Sequence, residues 1–208
     1  MGGKWITIEG IGGAGKTTQV QMLEEYLSSS KGLKVSLTKE PGGTKLGAEL
    51  RGILVKDLEV KPEYLSELLL FEADRHETIK KVVEPNIAQG NLVISDRGID
   101  GSIAYQGFGR GLPLPLINIL TVLATENRQP DLTILIDIDP IIAKERITKR
   151  WADDIDKFDL EEHKFQESAR QGFLYSASLS TNRVKIVDGS NSTDEIHQDI
   201  LKIIEDII

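Results

Sequence analysis

The chain has 208 residues, enough to bury one sizeable hydrophobic core, and a single domain spanning residues 1–208 is the expectation. Its 33 acidic and 25 basic side chains give a formal charge of -8, which argues against a nucleic-acid polymer as the main partner. There is no cysteine, so neither a disulfide framework nor a thiolate metal site is available. No apolar run approaches membrane-spanning length, so the expectation is a cytoplasmic protein without a membrane partner.

In chain order, Trp5-Ile6-Thr7-Ile8-Glu9 reads as a buried strand, then a glycine-rich turn over 10–17, then a helix over 18–27 with Val20, Leu23 and Leu27 on one face. A second strand follows the turn at Lys31-Gly32 and covers Lys34 to Thr38. A long helix is predicted from Glu63 to about Ala88, and a third strand, Leu92 to Asp96, follows Gln89-Gly90-Asn91. Gly107 to Pro115 reads as a polar loop and Pro115 to about Glu126 as a helix. Leu132 to Asp137 is the fourth strand, Pro140 to about Lys149 a helix, and Trp151 to Asp159 a second polar loop. A helix from Leu160 to about Ser178 precedes the fifth strand, Val184 to Val187. The last helix, Thr193 to Ile208, opens with a capping box on Ser192 and Glu195 and places Ile196, Ile200, Ile203, Ile204 and Ile207 at helical spacing. Strands that are apolar throughout and alternate with helices predict a three-layer α/β fold: a five-stranded parallel sheet covered by helices on both faces.

The turn Gly10-Ile11-Gly12-Gly13-Ala14-Gly15-Lys16-Thr17 fits G-x-x-x-x-G-K-[ST], with a strand before it and a helix behind it, the context a phosphate-cradling loop requires. Glycines let main-chain N–H groups close on phosphate oxygens beside the positive end of the following helix. Lys16 supplies a mobile charge for the β- and γ-phosphates, and Thr17 a hydroxyl for Mg²⁺. The chain is thus expected to bind a nucleoside triphosphate, with Thr18 at the edge of the same loop.

This loop alone does not name a reaction, since motors, switches, synthases and kinases share it. A second set of polar residues falls at predicted strand ends: Glu40-Pro41-Gly42-Gly43-Thr44, Asp96-Arg97 and Asp137. In a parallel sheet these ends border the ligand crevice, so the side chains are expected to face the phosphates. Asp96 is placed to hold hydrated Mg²⁺ and Arg97 to grip phosphate oxygens; the alternative is an ordinary strand-end ion pair. A guanine-reading N-K-x-D and a D-x-x-G after its strand are both missing, which disfavours a GTPase switch.

Together with Leu70-Phe71-Glu72-Ala73-Asp74-Arg75 and Ala104-Tyr105-Gln106-Gly107, these segments resemble bacterial thymidylate kinase over almost the whole chain. The resemblance implies phosphoryl transfer from ATP to dTMP with Mg²⁺, in a homodimer. It implies that Phe71 stacks on thymine and Arg75, four residues on and hence on the same helix face, bonds a base carbonyl. Ser102, Tyr105 and Gln106 resemble positions contacting base and deoxyribose, and a tyrosine ring under the sugar would crowd a ribose 2′-hydroxyl. Arg97 resembles the arginine holding the acceptor phosphate, with Arg51, Glu40 and Glu9 nearby.

Three departures from the family pattern stand out. Gly12 replaces an acidic residue in the phosphate loop, with Glu9 or Asp96 as candidates to compensate; Gly98 replaces an aromatic after Asp-Arg. The lid, about 150–160, reads Asp156-Lys157-Phe158-Asp159, with lysine where the family pattern D-R-[FI]-E has a catalytic arginine. Either Lys157 supplies the charge, without the planar fork of arginine, or Arg150 or Arg146 reaches in. Alternatives to dTMP kinase are a kinase for another monophosphate and a catalytically weakened nucleotide-binding paralogue. No general base is needed for an ionised acceptor phosphate, so His76, His163 and His197 carry no expected role, the last two as surface residues.

Overall fold

The computed structural model describes residues 2–55, 62–149 and 157–205. Five strands, β1 (Lys4–Glu9), β2 (Val35–Lys39), β3 (Leu92–Asp96), β4 (Leu132–Asp137) and β5 (Val184–Asp188), form one parallel sheet in the order β2-β3-β1-β4-β5. The strands lie within one residue of the sequence expectation. Side chains alternate across the sheet, and both faces are covered. Ile6 and Ile8 join a core with Leu23 and Leu27 of α1 (Lys16–Ser29) and Ile200 and Ile204 of α9 (Thr193–Glu205). The preceding residue, Trp5, packs with Val93, Ile79 and Val83 on the opposite face.

The long helix expected over 63–88 is present but is not one continuous α-helix. α3 (Tyr64–Thr78) passes through a wider π-helical stretch, Ile79–Val83, into α4 (Glu84–Ala88). Pro85 has no N–H to give to the preceding turn, and the stretch just before it absorbs the mismatch with an i→i+5 bond from Glu84 N–H to Ile79 O. A second such stretch, Ile103–Gly109, follows the short α5 (Asp100–Ser102), so the segment from 107 to 109 is helical where a loop was expected.

α2 (Lys45–Val55) was not foreseen from the sequence. Gly47 and Gly52 lower its helix propensity, yet Thr44 caps it, its Oγ1 accepting from Gly47 N–H at 2.9 Å. α6 (Leu114–Thr125), α7 (Pro140–Ile147) and α8 (His163–Leu179) match expectation closely. The predicted capping box of α9 forms, with Ser192 N–H donating to Glu195 Oε2 at 3.0 Å and Glu195 N–H to Ser192 Oγ at 3.4 Å. The expected continuation to Ile208 falls on residues 206–208, outside the described residues. His197 is buried rather than on the surface: its Nδ1 is 3.2 Å from Gln19 Oε1 in the α1–α9 contact. Among the described residues no helix is long and apolar enough to cross a membrane.

Candidate active site

All five strands run the same way, so Glu9, Glu40, Asp96 and Asp137 collect at one edge of the sheet. The chain crosses β1 in passing from β3 to β4, and the resulting crevice sits over the turn from β1 into α1.

That turn is the candidate phosphate loop. Gly10, Gly13 and Gly15 adopt positive φ (143°, 78° and 95°), where a side chain would be strained. Ile11 and Ala14 are buried and pin the loop to the core, while Thr17 and Thr18 are exposed at its mouth. Lys16 Nζ donates to Ile11 O at 2.8 Å. Burial, with the Arg97 charge second, pulls the ammonium down to about 8, against the opposing pull of Asp96. Thr17 Oγ1 donates to Asp96 Oδ2 at 2.6 Å, joining α1 to the end of β3.

Arg97 follows directly and links two halves of the crevice. Its φ of 76° is rare for a residue with a side chain. The turn is held by Arg97 N–H donating to Ile8 O at 3.0 Å and Ser95 Oγ donating to Arg97 O at 2.6 Å. The guanidinium then reaches Gly10 O of the phosphate loop at 3.2 Å and the Tyr105 hydroxyl at 3.0 Å, and lies 5.1 Å from the Tyr105 ring centre.

The far half is a buried ionic cluster. Arg75, only 2% exposed, gives Nε to Glu40 Oε2 at 2.9 Å, Nη1 to Glu72 and to Ser102 Oγ, and Nη2 to Gly98 O at 3.1 Å. Burial alone would weaken its charge, but Glu72 and Glu40 hold the guanidinium firmly protonated. Burial pushes the Glu40 carboxyl up to about 7 despite Arg75. Asp74 is also raised by burial, although Gly42 N–H bonds it at 3.0 Å. Asp74 and Arg75 are therefore interior groups. Arg51 Nη1 donates to Pro41 O at 3.0 Å, so it flanks the Glu40 turn as expected.

Glu9 stands between the halves, fully buried. Its Oε1 accepts from Gly98 N–H at 2.8 Å and Gly101 N–H at 3.2 Å, while Oε2 has no partner. Burial first, and Asp100 second, raise its pKa to about 8. Phe71 is half-buried against the main core, 5.9 Å from the Phe158 ring. Gln106 Nε2 donates to Glu67 Oε1 at 3.0 Å.

The geometry separates two other expected residues from the phosphate loop. Asp137 is held by Arg170 in a two-pronged pair at 2.7 and 2.8 Å, so its carboxylate is committed to α8 rather than to the phosphates. Lys157 donates to Glu67 Oε2 of α3 at 3.0 Å. Arg146 Nη2 lies 3.4 Å from Asn191 O. Of the lid, Arg150 and residues 151–156 fall outside the described residues.

The thymidylate kinase family model matches residues 8–200. The chain belongs to the thymidylate kinase family. It is 41% identical to a thymidylate kinase of Nostoc punctiforme over 207 residues, covering 98% of this chain and 96% of that one. It is 41% identical to a thymidylate kinase of Sulfurihydrogenibium sp. over 199 residues, covering 96% and 95%. The crystal structure of thymidylate kinase from Ehrlichia chaffeensis superposes with a TM-score of 0.80 at 35% identity, covering 98% of this chain and all of that one.

Within this family member several groups at the site were not singled out from sequence. Glu72 and Glu67 are buried carboxylates on α3, and Glu72, three residues before Arg75, had the helical spacing of an ion pair as a signal. Asp100 and Arg183 form a buried pair at 2.7 and 2.8 Å that clamps the segment after Arg97 to the start of β5. No local pattern announces it, because the partners are 83 residues apart.

Proposed function

We propose that the chain transfers the γ-phosphoryl group of ATP to dTMP, giving dTDP and ADP. The observation that carries this reading is the Arg97 guanidinium, which bonds the phosphate loop at Gly10 O and the opposite pocket at Tyr105. One cation on the boundary between two binding sites suits an end-to-end meeting of two phosphates.

In this reading the loop from Gly10 to Thr18 cradles the ATP phosphates, and Arg146 lies on the donor side. Lys16 exchanges its bond to Ile11 O for phosphate oxygens. Arg97 fixes the dTMP phosphate, one of whose oxygens, already ionised, attacks the γ-phosphorus as the bond to the β–γ bridging oxygen breaks. Thr17 and Asp96 offer adjacent hard oxygens at the loop mouth, a donor pair that would hold Mg²⁺. Among the described residues no cluster of three His, Cys, Asp or Glu could hold a metal by itself, in keeping with an ion shared with the nucleotide. When bound there, Mg²⁺ would supply positive charge against the transferring phosphates. Lys157 would have to leave Glu67 for a phosphate oxygen to join Lys16 and Arg97 in the transfer.

On the acceptor side Phe71 offers a stacking face, with Tyr105 beneath the sugar and Gln106, Arg51, Glu9 and Glu40 shaping the pocket. Four contacts occupy the Arg75 guanidinium, leaving one of its N–H groups to reach a base carbonyl. Ser102 Oγ sits beside it at 2.9 Å. Turnover measured as ADP release across a panel of monophosphates tests the assignment. Rapid release with dTMP is expected; release only with another acceptor, or ATP binding without transfer, contradicts it.

The same reading includes a homodimer. α3 packs between α2 and α6, and these three helices expose Leu46, Ile53, Leu65, Leu69, Ile119 and Leu123, the last 72% exposed. Exposed apolar side chains on three adjacent helices suit a second copy of the chain. Sedimentation is expected to give a dimer that Leu123→Glu converts to monomer; a monomeric native chain contradicts it.

A further inference from the structure

Three of the loop glycines, Gly10, Gly13 and Gly15, are accounted for by positive φ, but Gly12 is not among the residues with such a backbone. Its conformation is open to any L-residue, so the missing side chain needs another cause. A Cβ built on Gly12 would overlap Asp159 Oδ1, with Asp159 Cγ at 3.1 Å and Ile147 Cδ1 at 3.4 Å. The carboxylate of Asp159 thus fills the space that a side chain at position 12 would occupy.

The residues around Asp159 are anchored independently on the other side of the crevice. Phe158 is buried, its ring 5.6 Å from Tyr105, 5.9 Å from Phe71 and 6.5 Å from Phe165. Lys157 is tied to Glu67 at 3.0 Å and, through its N–H, to Val55 O at 3.1 Å. Gln166 Nε2 donates to Phe158 O. Residues 157–159 therefore form a strap from the acceptor wall to the phosphate loop, and the Gly12 Cα is where it lands. Asp159 also lines a small cavity of about 20 Å³ together with Ile11, Gly12, Ala143 and Ile147.

We propose that Gly12 and Asp159 are a matched positioning pair: the bare Cα of Gly12 seats the Asp159 carboxylate, and this seating closes the strap over the phosphates. The pair acts by excluding water, so that the γ-phosphoryl group reaches the acceptor rather than being hydrolysed. The nearness of Asp159 to Lys16, whose protonated form its charge favours, accords with this placement. The inference rests on the kinase reading above, and the native chain serves as the control for that reading. With ATP and dTMP, the native chain should form ADP and dTDP in equal amounts; no dTDP at all would sink the kinase reading itself.

Given that control, Gly12→Ala should lower the dTDP rate roughly tenfold and raise the ADP:dTDP ratio above one. Combined with Asp159→Gly, the penalty of Gly12→Ala should shrink to less than about threefold, because the overlapping atoms are gone. An equal penalty for Gly12→Ala with and without Asp159 overturns the pairing. So does a Gly12→Ala variant with native rate and ratio. Should Gly12→Ala not fold, Asp159→Gly alone decides: its ratio should exceed one, and an unchanged ratio of one contradicts the proposal.

Discussion

In the proposed reading, the donor and acceptor ends of the crevice hold similar phosphate groups with different materials. The donor end is local, with nine consecutive residues from Gly10 to Thr18 supplying a main-chain cradle and one lysine. Its preorganisation comes from three glycines in positive φ and from the buried Ile11 and Ala14. The acceptor end is assembled from Glu40, Glu72 with Arg75, and Gly98 with Ser102, segments brought together only by the sheet and α3. Polar groups that belong to one turn can be tuned without touching the core. Those that bridge several elements are part of the core, so function and stability are coupled at one end and separable at the other.

The largest effect expected from that contrast is on catalysis at the donor end. Lys16→Ala should lower transfer by roughly 10²–10³-fold or more, with the melting temperature unchanged or raised, since a buried, depressed ammonium is removed. Retained turnover would place the chemistry elsewhere. At the acceptor end, Arg75→Met should leave Glu40 and Glu72 as uncompensated buried carboxylates and cost about 3–5 kcal/mol of stability. Calorimetry should show a melting temperature lower by on the order of 10 °C, alongside a raised Michaelis constant for dTMP. A native melting temperature would show that the cluster bears no part of the fold.

A smaller effect is expected with pH. Glu9 and Glu40 titrate near 8 and near 7 in the folded chain, against 4.5 ordinarily. Between 4.5 and those values the folded chain holds more protons than the unfolded one, so stability falls as pH rises. Thermal melts of the unliganded chain should drop by about a few degrees from pH 5 to 8, and Glu9→Gln should flatten the slope. Rising melts over that range would contradict the buried, proton-retaining carboxylates. Asp100 works in the opposite sense: burial is outweighed by Arg183, its carboxyl is held low, and its contribution is lost only below its ordinary 3.8.

The same contrast explains what could be read from residues alone. The phosphate loop, the five strands and the Asp96–Arg97 pair are written in contiguous runs, and each was found within a residue or so. α2 escaped because Gly47 and Gly52 hid a helix that Thr44 caps. The resemblance marks Arg75 as a pocket residue but not as a buried ion-pair member, because the partner that makes its burial tolerable, Glu40, lies 35 residues away. Asp137 stands at a strand end as predicted, yet Arg170, 33 residues on, takes its carboxylate. Spacing locates a charged group on an element; it does not say which distant charge will claim it.

The most direct test is a crystal structure with a bisubstrate analogue joining adenosine and thymidine through a phosphate chain. The Arg97 guanidinium is expected within hydrogen-bonding distance of the phosphate on the thymidine side, with Lys16 and the loop amides on the adenosine side. Arg97 still held between Gly10 O and Tyr105, with the thymidine-side phosphate bound elsewhere, would contradict the account.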